Sequence, residues 1–179
     1  THAPMRFIRC RNAELLARLL ELKGIESIDG FVIPKVDIPS LTIYEDLLKG
    51  SSFTVMPTLE TIGVFDAGWC DELRYFLDQS CLRVLALRIG GNDLLRLLGM
   101  RRNRGVISYD TPLGAVISQL VLKFKPHGYQ LSAPVYDYFQ DRTTLAREVQ
   151  HDVQMGLVGK TVIHPCQAEV IEAAFRISE

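Results

Sequence analysis

The sequence predicts an α/β fold with a parallel sheet and helical crossovers, and three observations point there. Short apolar runs alternate with stretches of helical periodicity along the whole chain. The apolar runs read as strands buried on both faces, which is the mark of a parallel sheet covered by helices. No Gly-x-Gly-x-x-Gly follows the first run, which argues against an open dinucleotide-binding sheet. On this pattern an open doubly wound sheet and a closed barrel both fit.

The elements follow in order. Met5–Cys10 reads as the first strand. Ala13–Leu22 is a helix, with leucines at helical spacing and Asn12 placed to cap it. Gly30–Val36, rich in Val and Ile, is the second strand, and Ser40–Lys49 a short helix. Phe53–Leu59 is the third strand and Asp66–Gln79 the next helix. Leu82–Ile89 is a fourth strand, almost entirely apolar, and Leu94–Leu98 begins a helix or helical turn. Pro112–Phe124 is a helix with proline in its first turn, where a missing N–H costs nothing. Tyr129–Val135 reads as a strand, Thr143–Met155 as a helix, Thr161–Ile163 as a last short strand and Gln167–Phe175 as a closing helix. A complete eight-stranded barrel takes about 250 residues. With about six strands in 179 residues, a barrel implies that roughly its first quarter lies outside this chain. No repeat, linker or low-complexity tract divides residues 1–179, which read as one domain.

Composition narrows the function classes. The formal net charge is -1, with no basic surplus to neutralise phosphates, so a nucleic-acid partner is not expected. No apolar run approaches the roughly 20 residues of a membrane helix. The opening Thr-His-Ala-Pro-Met lacks the regions of a signal peptide and has no initiator Met, so a processed, trimmed or partly unseen start is expected. Cys10, Cys70, Cys81 and Cys166 form no CxxC pair or zinc spacing, and are expected as reduced thiols, mostly in the core, of a cytoplasmic protein. His2, His127, His151 and His164 are equally dispersed. No HExxH, serine elbow or phosphate loop occurs.

The informative feature is where charge meets strand. Arg9 ends the first strand and Lys35 the second, Glu60 ends the third, and Asp93 follows the fourth through Ile89-Gly90-Gly91-Asn92. Active sites of parallel α/β folds collect at the C-terminal strand ends. Two carboxylates there can hold Mg²⁺, a hard ion with oxygen ligands and positions left for water and substrate. The Gly90-Gly91 step admits close approach to a ligand, and the following helix start offers amides to an anion. Each residue also has a structural reading. Asn92 or Asp93 suits a helix cap. Glu60 suits a solvated turn, Lys35 a surface position, and Arg9 a structural ion pair. Arg101, Arg102 and Arg104 suit either an anionic substrate tail or a solvated loop. His164 suits a general acid, or a histidine held by backbone.

Four segments, in order, carry a resemblance. They are Pro34-Lys35-Val36-Asp37; Leu59-Glu60-Thr61-Ile62-Gly63-Val64; Arg83-Val84-Leu85-Ala86-Leu87 leading to Gly90-Gly91-Asn92-Asp93; and Gly159-Lys160-Thr161-Val162-Ile163-His164-Pro165-Cys166-Gln167. Together they resemble the citrate lyase beta-subunit-like, or HpcH/HpaI aldolase, family over nearly the whole chain. The stretch from Ile89 to Arg102 and Tyr109-Asp110-Thr111-Pro112-Leu113-Gly114 look like the branch that accompanies tellurite-resistance and stress gene clusters.

The resemblance implies a (β/α)8 TIM barrel, here without its first strands, acting as a Mg²⁺-dependent carbon–carbon lyase. It implies Glu60 and Asp93 as the metal carboxylates. Arg9, Lys35, Gly91 and Asn92 would lie against a small carboxylate or acyl-thioester substrate. It also implies a homo-oligomer. Asp37 stands where the family usually has Glu, and the C-terminal region that in some members lends a catalytic Asp to a neighbouring subunit has no counterpart here, so no acid or base is assigned. The chemistry expected is aldol- or Claisen-type cleavage or condensation through a metal-stabilised enolate. Two alternatives stand beside it: a Schiff-base lyase using Lys35, and a barrel without catalysis that binds a metabolite or partner.

Overall fold

Parallel pairing joins the apolar segments in the order they occur along the chain. The structure, a computed structural model, describes residues 4–176; His2 lies outside them. The elements are β1 (Phe7–Arg9), α1 (Ala13–Leu20), β2 (Gly30–Ile33), α2 (Ile38–Leu48), β3 (Thr54–Leu59), α3 (Ala67–Gln79), β4 (Arg83–Val84), β5 (Leu87–Ile89), α4 (Gly91–Leu97), α5 (Pro112–Phe124), β6 (Leu131–Ser132), α6 (Arg142–Gln154) and α7 (Ala168–Phe175). The sheet runs β1-β2-β3-β5-β6, with β4 on β3, and every pairing is parallel. A doubly wound sheet reverses its order at a switch point. An order that advances without reversal is that of a barrel wall.

The packing agrees with that topology. Phe31, Ile33, Val55, Leu59, Leu87, Ile89 and Leu131 join one buried cluster with Leu16, Leu41, Leu73, Leu94, Ile117 and Phe124 of the helices. Each such fully buried side chain contributes about 1.5–3 kcal/mol. The helices therefore cover one face of the sheet. The residues between, Thr58, Arg88 and Ser132, turn to the other face, because strand side chains alternate. The register sets these three side by side, Thr58 opposite Arg88 and Arg88 opposite Ser132.

Helix starts follow the sequence closely. Asn12 caps α1 through the Leu15 amide at 2.9 Å. Asp37 and Ser40 form a reciprocal capping box that starts α2 two residues before the expected Ser40. Asp66 and Thr111 cap α3 and α5.

Three strand expectations are corrected. The single strand expected over Leu82–Ile89 is two, β4 and β5. In a parallel ladder alternate residues of a strand bond to alternate neighbours. Val55 and Leu59 accept from Leu85 and Gly90 on the β4–β5 side, whereas Thr58 accepts from Val36 on the β2 side. Pro57 therefore faces β4–β5 with no N–H to give, and the ladder breaks opposite it. The expected Tyr129–Val135 strand shortens to β6. The expected Thr161–Ile163 strand is absent, and only the isolated bridge between Ala133 and Lys160 marks its place in the order. Cys10 and Cys70 are core thiols as expected, but Cys81 is exposed and Cys166 half-buried; all four are free. No helix among the described residues is long and apolar enough to cross a membrane.

Candidate active site

Strands β1, β2, β3 and β5 deliver the four expected charged residues to one end of the sheet. Arg9, the last residue of β1, extends a side chain 58% exposed, with Nη2 4.0 Å from Glu60 Oε1. Glu60 directly follows β3 and is only 7% exposed. Asp93 lies in the first turn of α4, where Lys35 Nζ reaches within 3.6 Å of its Oδ1. Arg96 of the same helix also pairs with Asp93.

Lys35 is held in an unusual backbone state. Its φ is 50°, the only positive φ of a non-glycine residue among the described residues. Such a conformation costs about 1–3 kcal/mol and persists when its surroundings fix it. Here the Lys35 N–H donates to Glu60 Oε1 at 2.9 Å. The turn after β2 thus orients the carboxylate that follows β3.

The two glycines have different reasons. A Cβ at Gly90 would lie 2.4 Å from Glu60 Oε2, so only glycine leaves room for that carboxylate. A Cβ at Gly91 would lie 2.6 Å from Pro134 Cβ, so the demand there is packing. The helix-cap reading of Asn92 and Asp93 is corrected. The cap position of α4 is Gly90, with no side-chain cap bond, and Asn92 Nδ2 donates to Asp137 Oδ1 at 2.8 Å.

Electrostatics favour a cation between the carboxylates. Burial is the largest influence on Glu60 and raises its pKa above the ordinary 4.5. The Lys35 amide and Arg9 pull it down, Asp93 pushes it up, and the net direction is up. A buried carboxylate beside a second one, with only partial compensation, suits a divalent ion. No group of three or more His, Cys, Asp or Glu able to hold a metal occurs among the described residues. A hard ion here would take Glu60 and Asp93 and leave its other positions to water and ligand oxygens. The adjoining cavity, about 220 Å³, also contains Thr58, whose Oγ1 is buried without a hydrogen-bond partner. The residues present fit Mg²⁺.

Sequence reasoning missed two features. Arg88 shares the cavity with Arg9, Glu60 and Asp93; the available signal was a charge near the end of the largely apolar Leu82–Ile89 strand, which also carries Arg83. The second is a buried ionic network. Lys160 Nζ donates to Glu148 Oε1 at 2.7 Å and to Asp152 Oδ2 at 3.0 Å, and Tyr109 Oη donates to Asp152 Oδ1 at 2.7 Å. Arg102 Nη1 donates to Glu148 Oε2 at 2.9 Å and Nη2 to the Val135 carbonyl at 2.9 Å. Arg102 is therefore structural, whereas Arg101 and Arg104 are exposed. His164 stacks on Phe139 at 4.5 Å, and its Nδ1 accepts from the Cys166 amide at 3.2 Å, starting the turn Pro165–Gln167. That is the backbone-held reading, on an exposed residue.

Residues 1–179 match a family described as a C–C bond lyase of the TIM-barrel fold. The chain belongs to this family. Among curated relatives, the (3S)-malyl-CoA thioesterase of Cereibacter sphaeroides is 33% identical over 93 residues, 52% of this chain and 31% of the relative. Human mitochondrial citramalyl-CoA lyase is 27% identical over 173 residues, 90% of this chain and 49% of the relative. The chain thus spans about half or less of the length of these relatives. Among solved structures, RipC from Yersinia pestis superposes with a TM-score of 0.73 at 19% identity, over 96% of this chain and 76% of that one. The citrate lyase beta subunit of M. tuberculosis, complexed with oxaloacetate and magnesium, gives a TM-score of 0.69 at 21% identity, over 96% and 72%. At these identities the likeness establishes the fold, and the C–C bond lyase family has a (β/α) barrel wall in this chain.

Proposed function

We propose that this chain carries the metal-dependent site of a carbon–carbon lyase acting on a small 2-oxo acid or acyl thioester by aldol- or Claisen-type chemistry. The observation that carries the reading is the Glu60–Asp93 carboxylate pair at the C-terminal strand ends, flanked by Arg9 and Lys35. The magnesium and oxaloacetate in the M. tuberculosis citrate lyase beta subunit support the same assignment.

Bound Mg²⁺ would supply Lewis-acid stabilisation of the charge that builds on the substrate's carbonyl oxygen as the bond breaks. Glu60 and Asp93 would hold it. The Lys35 amide keeps Glu60 aimed into the cavity, and Gly90 keeps the space beside it open. Arg9, at the mouth, meets the substrate carboxylate and fixes its orientation. Asn92, anchored on Asp137, lines the same cavity. Lys35 as a Schiff-base nucleophile is less well supported. Its side chain is largely exposed and its Nζ faces Asp93, without the apolar enclosure such a lysine uses.

We further infer a single partial barrel domain over residues 1–179, assembly into a homo-oligomer, a cytoplasmic location, and membership of the tellurite-associated branch.

Calorimetric titration of Mg²⁺ tests the central reading. The parent should bind, and Glu60→Gln or Asp93→Asn should weaken binding at least about tenfold, or ~1.4 kcal/mol. Chelation should remove 2-oxo-acid lyase activity, and borohydride should trap no substrate on Lys35. Equal Mg²⁺ binding by parent and variants overturns the metal site and favours the non-catalytic binding barrel.

A further inference from the structure

Asn92 stands in the first turn of α4, one residue before Asp93, and borders two cavities. One is the 220 Å³ cavity of the carboxylate pair, the other a neighbouring space of about 460 Å³. A ligand that uses a freely turning side-chain amide must also bear the entropy of stopping it. Here the amide is already stopped. Asn92 Nδ2 donates to Asp137 Oδ1 at 2.8 Å, across 45 positions of the chain, in a bond strengthened by the charge of the carboxylate. That uses one N–H, and leaves the second N–H and the amide oxygen to meet a ligand.

Asp137 is fixed in its turn by a buried cation. It lies in the loop between β6 and α6, and four consecutive residues of that loop close around Arg102, whose side chain is 6% exposed. The Val135 carbonyl accepts from Nη2 at 2.9 Å, and the guanidinium carbon lies 5.4 Å from the centre of the Tyr136 ring. Asp137 Oδ2 pairs by charge with Nε at 3.3 Å, and Tyr138 Oη donates to the Arg102 carbonyl at 2.9 Å. Glu148, fully buried on α6, holds the guanidinium through Nη1 at 2.9 Å. The Asp137 carboxylate thus gives one oxygen to Asn92 and the other to Arg102, while the residue itself does not border the carboxylate cavity.

We propose that Asp137 is a positioning residue: clamped by Arg102, it holds the Asn92 amide in place for the oxygen atoms of the substrate, so that substrate affinity depends on a residue outside the cavity. The inference rests on the reading above that this cavity takes Mg²⁺ and a 2-oxo acid. It concerns the substrate rather than the metal, because the side chains of Asn92 and Asp137 bond one another and Arg102, not Glu60 or Asp93.

A mutant cycle read by calorimetry tests it on the full-length protein, with Mg²⁺ alone and then with pyruvate, a stable 2-oxo acid, on the Mg²⁺-saturated protein. Asn92→Ala should weaken pyruvate binding about tenfold, the order of one lost hydrogen bond. Asp137→Ala should weaken it about fivefold, the order of one side chain left to be stopped by the ligand. Asp137→Asn keeps an oxygen within reach of Asn92 and should restore most of that loss. In the Asn92→Ala background Asp137→Ala should change nothing further, because a residue that acts through Asn92 then has nothing to position. Mg²⁺ affinity should stay within about threefold in every variant, which a general disturbance of the site would not allow. Melting curves establish that each variant is folded, and if Asp137→Ala is not, Asp137→Ser, too short to reach Asn92, takes its place. Losses that add in the double variant overturn the proposal, as do an Asp137→Ala affinity equal to the parent's and Mg²⁺ affinities that fall in step with those for pyruvate. A parent that binds Mg²⁺ but not pyruvate overturns it too. A parent that binds no Mg²⁺ refutes the metal-site reading itself and this inference with it.

Discussion

At Glu60 the fold holds a carboxylate that is 7% exposed, bonded by the Lys35 amide and facing Asp93. Its pKa is raised in the folded protein, chiefly by burial. The folded state therefore binds this proton more tightly than the unfolded state does. The associated stability is fully present below the ordinary value of 4.5 and is lost as pH rises through the raised folded value. Metal-free protein should lose stability over that window, and Glu60→Gln should flatten the loss, leaving the variant at least as stable as the parent at neutral pH. Added Mg²⁺ should reverse the order, since binding stabilises by mass action, about 2.7 kcal/mol at 100 times Kd. Denaturant melts across pH, with and without Mg²⁺, check this, and a parent and variant with parallel pH profiles would speak against a strained Glu60. The sequence showed Glu60 as a charge at a strand end. Its burial came from the approach of Lys35 and Gly90, which are 25 and 30 positions away and invisible to local pattern.

Between elements, the network on Glu148 and Lys160 ties α6 to three other parts of the chain. Glu148 accepts from Arg102 after α4, from the Ser108 amide at 2.6 Å, and from Lys160 before the closing turn. Burial by itself would raise the Glu148 pKa, but Lys160 and Arg102 outweigh it and the net direction is down. Removing one partner of a buried ion pair leaves an uncompensated charge and costs about 3–5 kcal/mol. Glu148→Gln and Lys160→Met should each destabilise by that order. The double variant should cost less than the sum, because the two charges disappear together. Chemical denaturation of the four proteins measures the coupling, and strict additivity would show that the pair does not act as a unit. The network also reaches the site, because Arg102 Nε lies 3.3 Å from Asp137, which anchors Asn92. In sequence, Glu148 and Asp152 look like the polar face of an amphipathic helix. Nothing in the helical period distinguishes a solvated carboxylate from one buried against a distant lysine.

At the scale of the molecule, several large apolar side chains face outward. Leu122 is 73% exposed, Ile62 69% and Tyr75 64%. Isolated apolar residues on a surface are ordinary. Tyr75 is part of a more extended apolar surface with Phe76 and Ile38 beside a cavity of about 630 Å³. The homo-oligomer proposed above would cover such surface. Sedimentation velocity should then give a mass that is a multiple of 20.2 kDa, and Tyr75→Glu or Leu122→Glu should shift it toward the monomer. A monomeric parent at micromolar concentration would refute the assembly.

The sequence by itself determined the α/β class, the order of elements, most helix starts and the four charges at the strand ends. These depend on period, capping residues and side-chain chemistry within a few positions of one another. Pro57 even carried the signal for the break between β4 and β5, since a residue without an N–H cannot complete a ladder on its open side. Tertiary structure alone decided that the strands follow one another without reversal, because pairing partners are not written in any one segment. It also decided which of the chemically similar residues serve which purpose. Arg102 is held by Glu148 and Asp137, Arg101 is exposed, and Arg88 stands inside the sheet beside an unpartnered Thr58. All three are arginines with the same intrinsic chemistry. Burial and the groups brought within hydrogen-bonding reach separate them, and both are properties of the packed chain.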